Sequence, residues 1–537
     1  MSTPEPTFDP PVDDTDTPRS RRTRRRVRRS VRVASDPRGP ISVLVGAGVI
    51  AGVVLLGSVL PAQTIAVVPP PVLEPVATTT LVCPEPGGVD DAVVTSAMTS
   101  LSGFAGQDGA GAATIEFLDR PGEAVELDPT TGLRAPGDSA QLEQSAGRDQ
   151  PLTIRTEGSL APGLVAGSYD LALSGPRRGL AMLDCPAPSP TWWFAGGGST
   201  AGRNSTLFLV NPEATEAEVE VTIIGPDGEV NAPSLRGLVI PPFSRESVRL
   251  TRVAPRLPAA VWNVQVRTGR IVASLLDIDS EGFIQQGIDW VPPTADPATT
   301  VYIPGVLGTE GNRQLIIYPT SETDAEISVR FLAPDGAFRP TELETIQAPA
   351  GAVTSVNLAP ALAGTSATVE LTSDVPIVAG VRQQHPGIDA NGPQTRIEVS
   401  YAAGALRLNS ATAAAGLPAV RGTESTVWIT APRPAGTDDT FTTVAVSLTP
   451  FGADVQSPDP FTVDVPFDRA FPVTLGRPEG ATWVTVQVTP SNHPIYVSQT
   501  SLRRGSRGSL ISGYPLVPLR TTVSIPTAVQ SVLLSLP

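Results

Sequence analysis

The chain has 537 residues, a formal charge of −15, and 17% charged residues. That length exceeds what one hydrophobic core can organise, and the acidity argues against nucleic acid as the partner of the whole chain. All 38 basic residues are Arg, beside only two Cys, two His and three Met, so thiol clusters, histidine-rich metal sites and lysine chemistry have little material.

Residues 1–40 are polar and proline-rich, with ten Arg against one Asp between Arg19 and Arg38. Ile41–Leu60, "ISVLVGAGVIAGVVLLGSVL", follows without a charge. Twenty helical residues span about 30 Å, the hydrocarbon thickness of a bilayer. The Arg cluster on one flank predicts a single-pass helix with the N-terminus cytoplasmic and the rest extracellular. The same cluster is placed to meet anionic lipid headgroups. A cleaved signal fits less well, because the apolar run is long and "LPAQTIAVV" offers no small-x-small site. A nucleic-acid arm lacks the aromatic interleaving that such arms carry. Residues 61–78 read as a Pro-rich, semi-rigid stalk.

Residues 79–190 read as a degenerate β domain. "LVCPEP" and "LDCPAP" place Cys83 and Cys185 in parallel contexts near its two ends, and outside a membrane such a pair is expected to form a disulfide. Two independent thiols are the alternative. The middle, Gly88–Gly122, is less regular and is the expected place for a soluble helix.

From here the chain repeats itself. "STLFLVNPEATEAEVEVTIIGPDG" from Ser205 returns as "RQLIIYPTSETDAEISVRFLAPDG" from Arg313, 108 residues later. Val219, Val221 and Ile223 alternate with Glu220 and Thr222, the period-two pattern of a half-buried strand; Pro-Asp-Gly then closes a turn. A more divergent copy begins at "STVWITAPRPAG" from Ser425. The repeats are three, at 191–298, 299–411 and 412–537, each of about 110 residues with seven or eight strands and almost no helical periodicity. The expected fold is all-β: tandem Ig-like β-sandwich domains. The alternative is a closed, propeller-like ring, suggested by a terminal "TTVSIPTA" in phase with the opening strand of each repeat.

Candidate sites are few. Trp192 and Trp193 are consecutive, so one faces a core and its neighbour either packs between domains or stacks on a sugar. Arg503, Arg504 and Arg507 make a basic hairpin tip on an acidic ectodomain, suited to an anionic wall polymer or partner, or simply solvated. "DIDSEG", with Asp277, Asp279, Glu281 and Gly282, copies the first half of a calcium loop, but its twelfth position is Ile288, where a bidentate Glu is needed; a solvated turn is expected. His385 and His493 fall in equivalent hairpins of different repeats, which does not make a zinc site. There is no Gly-x-Ser-x-Gly elbow. No metal, cofactor or catalytic residue is therefore expected.

The stretch "TWWFAGGGSTAGRNSTLFLVNPEATEAEVEVTIIGPDG" resembles the signature block of an uncharacterised family of actinobacterial envelope proteins, classed as a domain of unknown function. Phe194–Gly197, Asn211-Pro212 and Pro226–Gly228 carry the resemblance, which is strongest from Thr191 to His385. The other repeats have Pro319-Thr320 and Ala431-Pro432 where the first has Asn-Pro, so that Asn is expected to be structural. The resemblance brings no activity. The expected role is a non-catalytic, membrane-anchored envelope scaffold whose partners are envelope proteins or a cell-wall polymer. Glycan binding is the alternative, and an envelope hydrolase the third reading.

Overall fold

The computed structural model describes Gly48 and residues 72–84, 93–125, 132–145, 150–173, 178–282, 284–389, 392–505 and 508–525. The predicted membrane helix, apart from Gly48, lies outside these. Among the described residues no helix is long and apolar enough to cross a membrane. The chain divides into two compact units, Met1–Pro70 with Thr527–Pro537, and Pro71–Pro526. The second unit is all-β and holds every strand described below.

Residues 191–298 show how the pattern becomes a fold. Thr191–Ala195 is the first strand, Arg203–Asn211 the second and Ala217–Gly225 the third. Leu238–Ile240 is the fourth, Ser244–Arg249 the fifth and Val261–Thr268 the sixth. Val272–Glu281 and Ile284–Val291 are the seventh and eighth. The third strand pairs with the fourth and sixth, and the sixth with the first, while the other sheet runs fifth, second, seventh, eighth. Val219, Val221 and Ile223 of one sheet and Leu207, Leu209 and Leu275 of the other share one core. The expected alternation holds, since Glu220 and Thr222 between them stay partly exposed.

The same strand order recurs in the third repeat, from Thr412–Pro418 to Leu510–Pro515. In the second repeat the sixth and seventh strands are one continuous strand, Ala367–Asp389, which joins both sheets into one of eight strands, counting the short Gly336–Phe338 that pairs with the third strand as Gly228–Glu229 does in the first repeat. The N-terminal part, from Thr78–Cys83 to Gly179–Asp184, repeats the order, with only an isolated bridge between Glu116 and Ala124 where the fourth strand would lie among the described residues. This order differs from the ABED/CFG sheets of immunoglobulin constant domains, where the first strand pairs with the second. Here the chain changes sheets between them, at the Ala-Gly-Gly block. Gly197 sits at φ +94°, a Cβ on Gly196 would lie 2.7 Å from Val291, and one on Gly198 would lie 2.5 Å from the Arg203 guanidinium. Only glycine passes there. The Asn-Pro block is equally local: the Asn211 amide donates to the carbonyls of Thr215, Ile240 and Pro241.

Two expectations change. Val93–Ser100, inside the segment expected to hold a helix, is a strand; its β-branched Val93, Val94, Thr95 and Thr99 fit a pleated surface between two neighbours better than a helix. Moreover, the modules do not run in an open row. The eighth strands form a cycle of neighbours: Gly179–Asp184 lies against Ile284–Val291, that against Gly392–Ala403, that against Leu510–Pro515, and that against Gly179–Asp184 again. Val72–Pro75 pairs antiparallel with Thr522–Ile525, bringing the two ends of the unit together. The seams are continuous with the cores. Leu180 and Met182 pack into the core of the third repeat, and Val399 and Tyr401 into that of the first. At the closing seam Thr99 Oγ1 and Thr485 Oγ1 are 2.8 Å apart, and the Trp483 indole donates to Gln141 at 2.9 Å. A Cβ on Gly167 would lie 2.3 Å from the Ala415 carbonyl oxygen, so two backbones meet there.

Candidate functional site

Cys83 and Cys185 form a disulfide that closes a 102-residue separation. Cys83 ends the first strand of the N-terminal module and Cys185 follows its eighth. Both are buried in that module's core.

The two tryptophans are committed to packing. Trp192 faces the first repeat's core, and its indole N–H donates to the Ile271 carbonyl at 3.2 Å. Trp193, on the opposite face as the strand period requires, is half-buried against Tyr318 of the second repeat, with ring centroids 6.3 Å apart. Inter-module packing therefore occupies the face considered for sugar stacking.

"DIDSEG" is not a solvated turn. Asp277 lies within the seventh strand and is 1% exposed. It accepts hydrogen bonds from Arg203 Nε at 3.0 Å, from Ser205 Oγ and from the Tyr401 hydroxyl. Arg203 donates in turn to Tyr401 at 2.9 Å, and Arg382 is paired with Asp279. Tyr401 and Arg382 belong to the second repeat, so the cluster ties the first two repeats together. Burial opposes the charge of Arg203, and Asp277 restores it. The Arg203–Asp277 pair persists because the other Arg203 nitrogens are satisfied by the Pro258 carbonyl and the Tyr401 hydroxyl, whereas Arg382 Nε, 3.8 Å from Asp277, lacks a hydrogen-bond partner.

The histidines are separate. His385 is buried, with Nδ1 2.7 Å from Thr309 Oγ1 and Nε2 2.8 Å from Ser400 Oγ. Burial, reinforced by the Arg313 guanidinium, lowers its pKa to about 3, so it stays neutral. His493 pairs with Asp439 at 3.0 Å. Among the described residues no group of three His, Cys, Asp or Glu is placed to hold a metal ion.

Two hollows border the seam between the N-terminal module and the third repeat, the larger of them also walled by the first repeat. The larger, of about 440 Å³, has apolar walls that include Leu164, Phe194, Val291 and the Tyr514 ring. The Asp184 carboxyl also lines it; burial raises its pKa to about 7 against the pull of the Cys185 backbone N–H. The smaller, of about 240 Å³, is lined by Arg178, Arg503 and Arg504 with two glycines and two leucines, and among the described residues by no acid. Arg503 and Arg504 belong to the predicted basic tip; Arg507 falls outside the described residues. Arg178 comes from the equivalent hairpin of the N-terminal module. Its guanidinium donates to the Gly508 carbonyl at 2.7 Å. The sequence signal for it is "GPRRG" in that hairpin, but only the closed cycle makes the two hairpins neighbours.

Comparisons with known proteins add a family and little else. Residues 138–475, more than half of the chain, match the model of a family described as a family of unknown function (DUF5719). No curated protein matches the chain. Among solved structures, the pilus adhesin SpaC from Lactobacillus rhamnosus GG is similar at 9% identity, over 80% of this chain and 57% of the adhesin chain, with a TM-score of 0.10. The chain thus spans 57% of that protein's length, and a likeness this slight carries no argument about fold or function.

Proposed function

The chain belongs to this family of unknown function (DUF5719), and we propose that it is a non-catalytic, membrane-anchored scaffold of a bacterial cell envelope. In this reading Ile41–Leu60 spans the bilayer, the N-terminus is cytoplasmic with its arginines at anionic headgroups, and four two-layer β modules stand outside. The partners are envelope proteins or a wall polymer, and the actinobacterial affiliation rests on the repeat block around Phe194–Gly197.

One observation supports it above others: the groups best able to do chemistry are spent on holding modules to one another. Asp277, Arg203, Tyr401 and Arg382 are buried at one seam, and Ser512 donates to buried Asp289 across another. A body closed on itself and locked at its seams presents fixed loops to partners at little cost in ordering entropy. Outward-facing hairpins and sheet edges are the surfaces such a body offers.

The test exploits the disulfide. Both native cysteines are bonded to each other, so Glu310→Cys, at an exposed position, adds the single reactive thiol. In intact cells a membrane-impermeant maleimide should label it, and photo-crosslinkers at exposed hairpins should retain the same envelope components in repeated captures. Labelling only after lysis would sink the reading.

A further inference from the structure

We propose that the hollow formed by Arg178, Arg503 and Arg504 is a binding site for a phosphoryl group, built across the seam between the N-terminal module and the third repeat. It goes beyond the scaffold reading, because it assigns a ligand chemistry to one place.

Charge is the first support. The chain carries −15 overall, yet three cationic side chains share the walls of one hollow of about 240 Å³, and among the described residues no acid lines it. Like charges brought together repel, and an anion bound among them relieves that repulsion. Arg178 is 5% exposed and anchored to Gly508. Behind it lies buried Glu398, whose protonation burial favours and Arg178 opposes. Arg503 is held by the Arg421 carbonyl and Thr423 Oγ1, both at 3.2 Å. Arg504 is exposed at the rim, its backbone N–H fixed to the Gly422 carbonyl at 3.1 Å. Two of the guanidiniums are thus positioned in advance by backbone carbonyls.

Shape is the second support. Gly505 and Gly508 carry no Cβ into the hollow, and Gly508 has φ +95°. A guanidinium presents a planar fork of N–H donors that matches phosphate oxygens two at a time, which an ammonium cannot do. Apolar Leu173 and Leu510 complete the walls, leaving room for the substituent of a phosphate ester. The site exists only when the cycle is closed, since Arg178 and Arg503, 325 positions apart, reach it from different modules.

The experiment uses the full-length protein in neutral detergent, because its N-terminal arginines also attract anions and must be present in every arm. Wild type and Arg503→Gln/Arg504→Gln are titrated calorimetrically with inorganic polyphosphate, with polyglutamate as a carboxylate control, and are sedimented with phosphatidylglycerol vesicles. The double variant should unfold at the wild-type temperature and bind the phosphoryl probe about ten- to a hundredfold more weakly, the loss expected for charge-assisted hydrogen bonds. A loss seen with soluble polyphosphate places the phosphoryl group on a soluble molecule; a loss confined to vesicles places it on a headgroup. Equal binding by wild type and variant assigns the affinity to the N-terminal tail and overturns the proposal. So does equal preference for polyglutamate. Arg504→Gln alone, at the exposed rim, keeps the test interpretable if the double variant is destabilised.

Discussion

Removing the Asp277 carboxylate should be among the most damaging single changes in the molecule. The residue is 1% exposed, and the Arg203 guanidinium bonded to it is 6% exposed. Arg382 Nε stands 3.8 Å away. In Asp277→Ala, Arg203 keeps the Pro258 carbonyl and the Tyr401 hydroxyl but loses its bonded counter-charge, leaving only the more weakly coupled Asp279. Breaking a buried pair by deleting one partner costs about 3–5 kcal/mol, whereas replacing both partners by apolar residues is often neutral or better. Asp277→Ala should therefore lower stability by about 3–5 kcal/mol, and Arg203→Met/Asp277→Leu should recover much of that. Equilibrium urea unfolding followed by tryptophan fluorescence reads the change. Trp262, whose indole N–H donates to Gly196 at 3.1 Å, reports from the same core. A cost below about 1 kcal/mol for Asp277→Ala, within the range of an exposed pair, would refute the reasoning.

Three further outcomes rest on the same geometry. Burial raises the pKa of Asp289 and Glu398 in the folded state, so the folded protein holds protons that the unfolded chain releases. Their contribution is therefore fully present below the ordinary carboxylate pKa and is lost as pH rises, by at most about 1.4 kcal/mol per pH unit for each group; Asp289→Asn and Glu398→Gln should flatten the fall in stability as pH rises above the ordinary carboxylate range, measured by urea midpoints. Reducing Cys83–Cys185, or replacing both by Ala, reopens a 102-residue separation and should cost about 4–5 kcal/mol in the chain-entropy account, read as a lower unfolding midpoint. Gly197→Ala places a Cβ 3.0 Å from Ser205 Oγ at φ +94°, and the backbone strain alone should cost about 1–2 kcal/mol in the same assay.

What the sequence makes legible is local. Alternation at Val219, Val221 and Ile223 identifies a strand and the face it buries, and the parallel contexts of Cys83 and Cys185 identify a bond. Alternation says which side chains face a core, not which strand lies alongside, so the pairing of the first strand with the sixth stays hidden. Asp277 reads as solvated because an acid-rich hairpin ordinarily faces water; its partner Arg203 lies 74 residues earlier, and Tyr401 124 residues later. The closing seam is equally silent. Thr99 and Thr485 are 386 residues apart, and a buried threonine pair has no signature in composition. At the basic hollow, Arg503 and Arg504 are visible as a charged tip, while Arg178 gains meaning only from the cycle that brings its hairpin alongside.

That cycle is the claim on which the rest depends, and a cysteine pair tests it directly. Thr99 and Thr485 are both buried, with their hydroxyl oxygens 2.8 Å apart, so Thr99→Cys/Thr485→Cys should place two sulfurs within bonding reach. Mild oxidation, then digestion with trypsin and an aspartate-directed protease that cuts at Asp90 and Asp91 to separate Cys83 from position 99, should recover by mass spectrometry the peptides of positions 99 and 485 joined, with the native Cys83–Cys185 link intact. Two free thiols at positions 99 and 485 after oxidation of the folded protein would mean that the first and last modules do not meet.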